Sequence, residues 1–152
     1  MKILISSKAK MERRIKEGGL ENFAVICFYT PGGNSTENLP LDFSGVCERA
    51  ICIPLHDLDP SALKKYKMTV DSFFPEADEV ARFIYEAKTD GFDVICQCEY
   101  GQSRSAACAA AILEHFSKSG IKIFADYRYY PNQLVFHKVF DALNNYRRNI
   151  GK

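Results

Sequence analysis

No stretch of the 152 residues approaches the length of a bilayer-spanning apolar run. Nothing at the beginning reads as a secretory leader: the apolar opening over 1–6 is too short for a signal core and runs into charged residues. Charge of one sign is also missing. The net value of +1 gives no electrostatic ground for binding nucleic acid or a membrane surface. Basic residues cluster only in short pairs, which argues against an inositol polyphosphate ligand. There are no internal repeats and no low-complexity tract. His56, His115 and His137 have no metal-like spacing to the cysteines, so no metal site is expected. The six cysteines could suggest a disulfide framework, but the setting is wrong for one. Cys27, Cys52, Cys96 and Cys98 lie in apolar, strand-like runs, where a reduced thiol packs as a small hydrophobe. A reducing cytoplasm is the expected compartment.

What remains is an ordinary globular composition, 47% hydrophobic and 26% charged, over a length that suits one domain spanning 1–152. The opening over 2–6 reads as a short buried strand. Ser7 is placed to cap a helix over 8–17, ended by Gly18-Gly19, and its charges mark a solvated face. Residues 23–29 form a continuous apolar run, the pattern of a parallel strand covered on both faces. A loop over 30–45 contains Pro31, Gly32, Gly33, Asn34 and Pro40. A further strand is expected over 49–55, and a helical turn or loop over 61–67. Phe73, Ala77, Val80, Ala81 and Ile84 show helical spacing, which predicts a helix over 72–88. Asn132 is the expected cap of a last helix whose inward stripe is Leu134, Val135, Val139 and Leu143. Strands alternating with helices predict an α/β three-layer sandwich, with a mainly parallel central sheet of about four strands and helices on both faces.

The most informative stretch runs from Val94 to Ser105. An apolar strand ends at Cys98, and a polar loop with Gly101 follows. Arg104 and Ser105 then open a helix over 105–116 that is small and apolar nearly all round. A helix start has unpartnered N–H groups and partial positive charge, so a loop wrapped onto it can hold an anion such as phosphate. Gly101 permits the sharp bend and Arg104 offers a planar fork of donors. The same field favours thiolate at Cys98. Of the six cysteines, only Cys98 has the Cys-x5-Arg spacing.

Cys98, Gly101, Arg104 and Ser105 resemble the cysteine-dependent protein tyrosine phosphatase superfamily, in its small dual-specificity-like branch. The likeness extends more loosely to the Leu55-His56-Asp57-Leu58-Asp59 stretch and to Tyr130-Pro131-Asn132. One position departs: Gln97 stands where the family usually has histidine, and it carries no charge to support the thiolate. The resemblance implies hydrolysis of phosphate monoesters through a phosphocysteine intermediate, with phosphotyrosine protein or a small phosphomonoester as substrate. Cys98 is then the nucleophile. The loop Glu99, Tyr100, Gly101, Gln102, Ser103 and Arg104 binds phosphate, and Ser105 helps the sulfur leave. No metal or other cofactor is called for.

A carboxylic acid must protonate the leaving oxygen. Asp57 is the first choice, by its place after a strand and by the family's aspartate loop. Asp59 and Asp71 stand behind it, and Asp57 or Asp59 could instead cap the next helical turn. Backbone rather than side chains faces phosphate in such a loop, so the Glu99 side chain is expected to turn outward. His56 reads as a structural polar residue and Cys96 as a core thiol. Tyr100, Tyr127, Tyr129 and Tyr130 could stack on an aromatic substrate or simply pack. A non-catalytic phosphate-binding module on the same fold is the alternative function, and thiol redox chemistry such as arsenate reduction a weaker third.

Overall fold

A computed structural model describes residues 1–32 and 39–151. Four strands form one parallel sheet: β1 (Ile3–Ser7), β2 (Phe23–Tyr29), β3 (Arg49–Pro54) and β4 (Asp93–Cys98), in the order β1-β4-β2-β3. Helix α1 (Lys8–Glu17) covers one face. Helices α2 (Ala77–Thr89), α3 (Arg104–Ser117) and α5 (Gln133–Ile150) cover the other, and a one-turn α4 (Ile121–Phe124) joins α3 to α5. The three-layer α/β sandwich is therefore observed.

The strands alternate their burden as their period requires. Ala24, Ile26, Phe28, Val94 and Cys96 enter the larger core under α2, α3 and α5. Val25, Cys27 and Ile95 face the smaller core with Met11, Leu20 and Phe43. The alanines of α3 let it lie close against the sheet, and Ala106 to Ala111 are buried throughout.

Local signals explain most boundaries. The Ser7 hydroxyl accepts from the Lys10 amide at 3.2 Å, and Gly18 ends the helix at φ 87°. Asn132 caps α5 by accepting from the Val135 amide at 3.0 Å. Leu134, Val135, Val139 and Leu143 are all buried. The helix expected over 72–88 starts later, at Ala77. Pro75 disfavours helical backbone at Phe74, which sits at φ 59°. Thr69 and Ser72 bond each other in a separate turn. Residues 61–67 resolve into two short 3-10 turns. Of the expected loop over 30–45, Gly33 and Asn34 lie outside the described residues.

Among the described residues, no helix is long and apolar enough to cross a membrane. His115 is a core residue with partners that its sequence neighbours do not reveal. Its Nε2 meets the Tyr85 hydroxyl at 2.6 Å and its Nδ1 meets Asn144 Oδ1 at 2.8 Å.

Candidate active site

All four strands run the same way, so their C-terminal ends share one edge of the sheet. That edge carries Thr30 after β2, Leu55 to Asp57 after β3, and Cys98 at the end of β4. In sheets of this kind the edge beyond the strand ends is where ligands bind.

The turn at Gly101 ties the loop after β4 to this edge. Gly101 has φ 68°, and a Cβ there would lie 2.8 Å from the Ser7 amide nitrogen and 2.9 Å from the Ser6 carbonyl carbon. Only glycine fits, because the backbone allows no side chain and the neighbour is itself backbone. The loop is held from both sides. The Glu99 carbonyl accepts the Lys8 amide at 3.0 Å, and the Gln102 carbonyl accepts the Tyr130 amide at 2.8 Å. The Glu99 side chain is exposed.

Cys98 is buried at the foot of this loop, 2% exposed. Its Sγ lies 3.0 Å from Ser105 Oγ. Burial opposes ionisation there. The Ser105 hydroxyl and amide, the Arg104 charge and the Gly101 amide outweigh it, so the thiol is held below its ordinary range.

Arg104 is 5% exposed and is seated from below. Its Nη1 donates to the Leu55 carbonyl at 2.6 Å and to Thr30 Oγ1 at 3.0 Å. Its Nε is buried with no partner. A buried guanidinium N–H left unpaired costs about 1–3 kcal/mol or more, so the site as it stands offers an unused charged donor.

Ser103 occupies the N-cap position of α3 but does not cap it. Its hydroxyl donates instead to Asp57 Oδ1 at 2.7 Å. The start of a 14-residue helix is thus left without a side-chain cap or an acidic residue in its first turn, which is the local condition for anion binding. A hollow of about 240 Å³ opens here, lined by Asp57, Cys98, Tyr100, Gln102, Ser103, Arg104 and Tyr130. A second hollow of about 370 Å³ shares Asp57, Tyr100 and Arg104 and extends over Gln97, Cys27 and Thr30. A further hollow, about 870 Å³, lies along the end of α5 beside Asp78, and none of these groups lines it.

The three candidate carboxylates separate clearly. Asp57 Oδ1 accepts from Ser103 and, at 2.8 Å, from Asn132 Nδ2. Both bonds fall on one oxygen. Asp59 caps the first 3-10 turn through the Ala62 amide at 3.0 Å and the Ser61 hydroxyl at 2.6 Å. The Ser61 bond, with the Ala62 amide, lowers its carboxyl below the ordinary range. Asp71 is exposed and lines neither hollow at the loop. The structure therefore brings Cys98, Arg104, Ser105 and Asp57 together and leaves Asp59 as a cap.

Several neighbours were not legible as site residues. Asn132 also donates to the Leu58 carbonyl at 2.8 Å, so one amide group caps α5, holds Asp57 and pins the Asp57 loop. Thr30, which seats Arg104 with the Leu55 carbonyl, belongs to no motif. Gln97 donates through Nε2 to the Cys98 carbonyl at 3.1 Å, while its Oε1 is buried without a partner. The His56 ring lies tilted against Tyr66, with centroids 5.0 Å apart. Tyr100 and Tyr130 stand at the rim, 78% and 71% exposed. Among the described residues, no group of three or more His, Cys, Asp or Glu could hold a metal ion.

No protein-family model matches this sequence, and no curated protein sequence matches it. Solved structures do. The crystal structure of PTPMT1 aligns with a TM-score of 0.54 at 15% identity, over 99% of this chain and 94% of that one. Human DUSP28 aligns at 0.55 and 17%, over 97% and 94%. A human tyrosine phosphatase-like serine/threonine/tyrosine-interacting protein aligns at 0.54 and 20%, over 96% and 87%. At such identities, what is shared is the fold.

Proposed function

We propose that this chain, which has the fold of the dual-specificity-like protein tyrosine phosphatases, hydrolyses phosphate monoesters through a phosphocysteine intermediate. One observation carries the reading. At the uncapped start of α3, Cys98, whose thiol is below its ordinary range, and Arg104, whose buried Nε has no partner among the described residues, line the same small hollow. A phosphate dianion supplies the acceptor that this donor lacks and the charge that the helix start favours.

The chemistry follows from the groups in place. Phosphoryl oxygens repel an anionic nucleophile, and Arg104 with the loop amides reduces that repulsion in the transition state. Cys98 Sγ attacks phosphorus as the ester P–O bond breaks. Asp57 gives its proton to the leaving oxygen. Water then attacks phosphorus, Asp57 takes the proton back, and the P–S bond breaks with the Ser105 hydroxyl bonded to the departing sulfur. Glu99, Tyr100, Gly101, Gln102 and Ser103 contribute backbone to the phosphate cradle. The scheme calls for no cofactor. Tyr100 and Tyr130 at the rim favour an aryl phosphate, and hence phosphotyrosine in a protein.

Hydrolysis of p-nitrophenyl phosphate, with Cys98→Ser as the inactive control, is the direct test. In the same assay, Asp57→Asn should flatten the alkaline limb of kcat. An unchanged limb would remove Asp57 from the acid's role. A second reading, a phosphate-binding module without turnover, is favoured by Gln97 alone, because an uncharged amide backs the loop. Phosphate binding by a wild-type protein that leaves p-nitrophenyl phosphate intact would select it.

A further inference from the structure

Beneath the site lies a second pair of thiols. β2 and β3 run parallel with Cys27 directly opposite Cys52. Both side chains lie on the face covered by α1 and by Leu41 and Phe43. Both thiols are free. Adjacent strands lie roughly 4.8 Å apart, within the roughly 4.4–6.8 Å Cα separation that a disulfide spans. We propose that Cys27 and Cys52 are an oxidation site for hydrogen peroxide, distinct from Cys98, that closes as a disulfide across β2 and β3.

Access singles out this pair. Cys52 is half-buried, and Cys27, itself 1% exposed, lines the hollow that adjoins Arg104. Cys96 and Cys108 are both 0% exposed. Exposure orders the steps, because Cys52 is the more exposed of the two. In the same sense, the neighbouring Cys27 thiol holds Cys52 below the ordinary thiol range, while Cys52 and burial push Cys27 above it. Cys52 is therefore the thiolate that meets peroxide. Its sulfur attacks one peroxide oxygen, the S–O bond forms as O–O breaks, and the departing hydroxide takes a proton to become water. Cys27 then loses its proton and attacks the Cys52 sulfur. The S–S bond forms as S–O breaks, and a second water leaves. Two thiols are oxidised by two electrons and one peroxide is reduced to two waters.

The location gives the disulfide a consequence. Thr30 and Leu55, which seat Arg104 Nη1, lie three residues beyond Cys27 and Cys52, just past the ends of the same two strands. A bond between the strands fixes the spacing of that seat. The effect on Arg104 rests on the phosphatase reading, whereas the disulfide itself does not.

The test uses the full-length Cys98→Ser protein, so that the thiol at the phosphate site cannot contribute. Hydrogen peroxide should remove two of its five remaining thiols, and dithiothreitol should restore them. Peptide mapping should show Cys27 joined to Cys52, lighter by the two hydrogens lost. Cys52→Ser in the same background should leave Cys27 titratable. Changing Cys27 to Ser should leave Cys52 as a sulfenic acid that dimedone traps. The proposal fails if both thiols of the unmutated pair stay titratable while Cys98 of the wild-type protein is oxidised. It fails equally if Cys52 is found joined to Cys47.

Discussion

Gly101→Ala tests the seating of the phosphate loop most severely. The substitution carries two separable costs. Holding alanine at φ 68° costs about 1–3 kcal/mol. The added Cβ also meets the Ser7 nitrogen at 2.8 Å and the Ser6 carbonyl carbon at 2.9 Å. These are backbone atoms at the junction of β1 and α1, so neither can swing aside as a side chain would. Relieving such overpacking costs about 1–3 kcal/mol more. Together this is roughly 2–6 kcal/mol out of a typical 5–15 kcal/mol, or a fall in Tm of roughly 4–24 °C for a chain of this size. Gly91→Ala is the matched control. Gly91 has φ 81° but open space around its missing Cβ, so it bears only the conformational cost. Thermal melts of the two variants, read beside p-nitrophenyl phosphate turnover, isolate the contact. Gly101→Ala should melt lower than Gly91→Ala and lose at least tenfold in kcat. Equal melting points would refute the claim that the loop is pressed against Ser6 and Ser7.

Asn132→Ser should keep the cap of α5, and with it most of the stability, but lose the donor to Asp57. We expect kcat to fall several-fold with little change in Tm, whereas Asn132→Ala should also lose about 0.5–2 kcal/mol in a denaturant melt from the missing cap. Ser105→Ala removes the hydroxyl 3.0 Å from Cys98 Sγ, so the pH midpoint of Cys98 alkylation by iodoacetamide should move upward. His115 predicts a pH-dependent stability. Burial, reinforced by the Arg147 and Lys118 charges, holds it below the ordinary histidine value of 6.5. The unfolded chain then binds a proton that the folded chain does not. This contribution is present above about pH 6.5 and is lost as pH falls toward the folded value. Urea melts between pH 7.5 and 5 should show wild type losing more stability than His115→Gln.

Much of the architecture was legible because it follows from local rules. Apolar runs at 23–29 and 94–98, the cap at Ser7 and the cap at Asn132 each depend on neighbours within a few residues. So does the glycine turn before α3, and with it the spacing of Cys98 and Arg104. The helix expected to begin at residue 72 failed on the same scale: apolar spacing continued through Pro75, but the backbone could not.

What no local rule contains is which distant groups meet. The sequence alone determined a parallel α/β chain and a thiol, a glycine and a guanidinium arranged around one helix start. Tertiary structure decided that Thr30 and Leu55 seat that guanidinium, that Asn132 reaches Asp57, that Asp59 caps the next turn, and that Cys27 faces Cys52. The reason is physical. Periodicity and capping act within one element. Pairs separated by 25 to 75 residues are set by strand order and register, which depend on how the whole core packs.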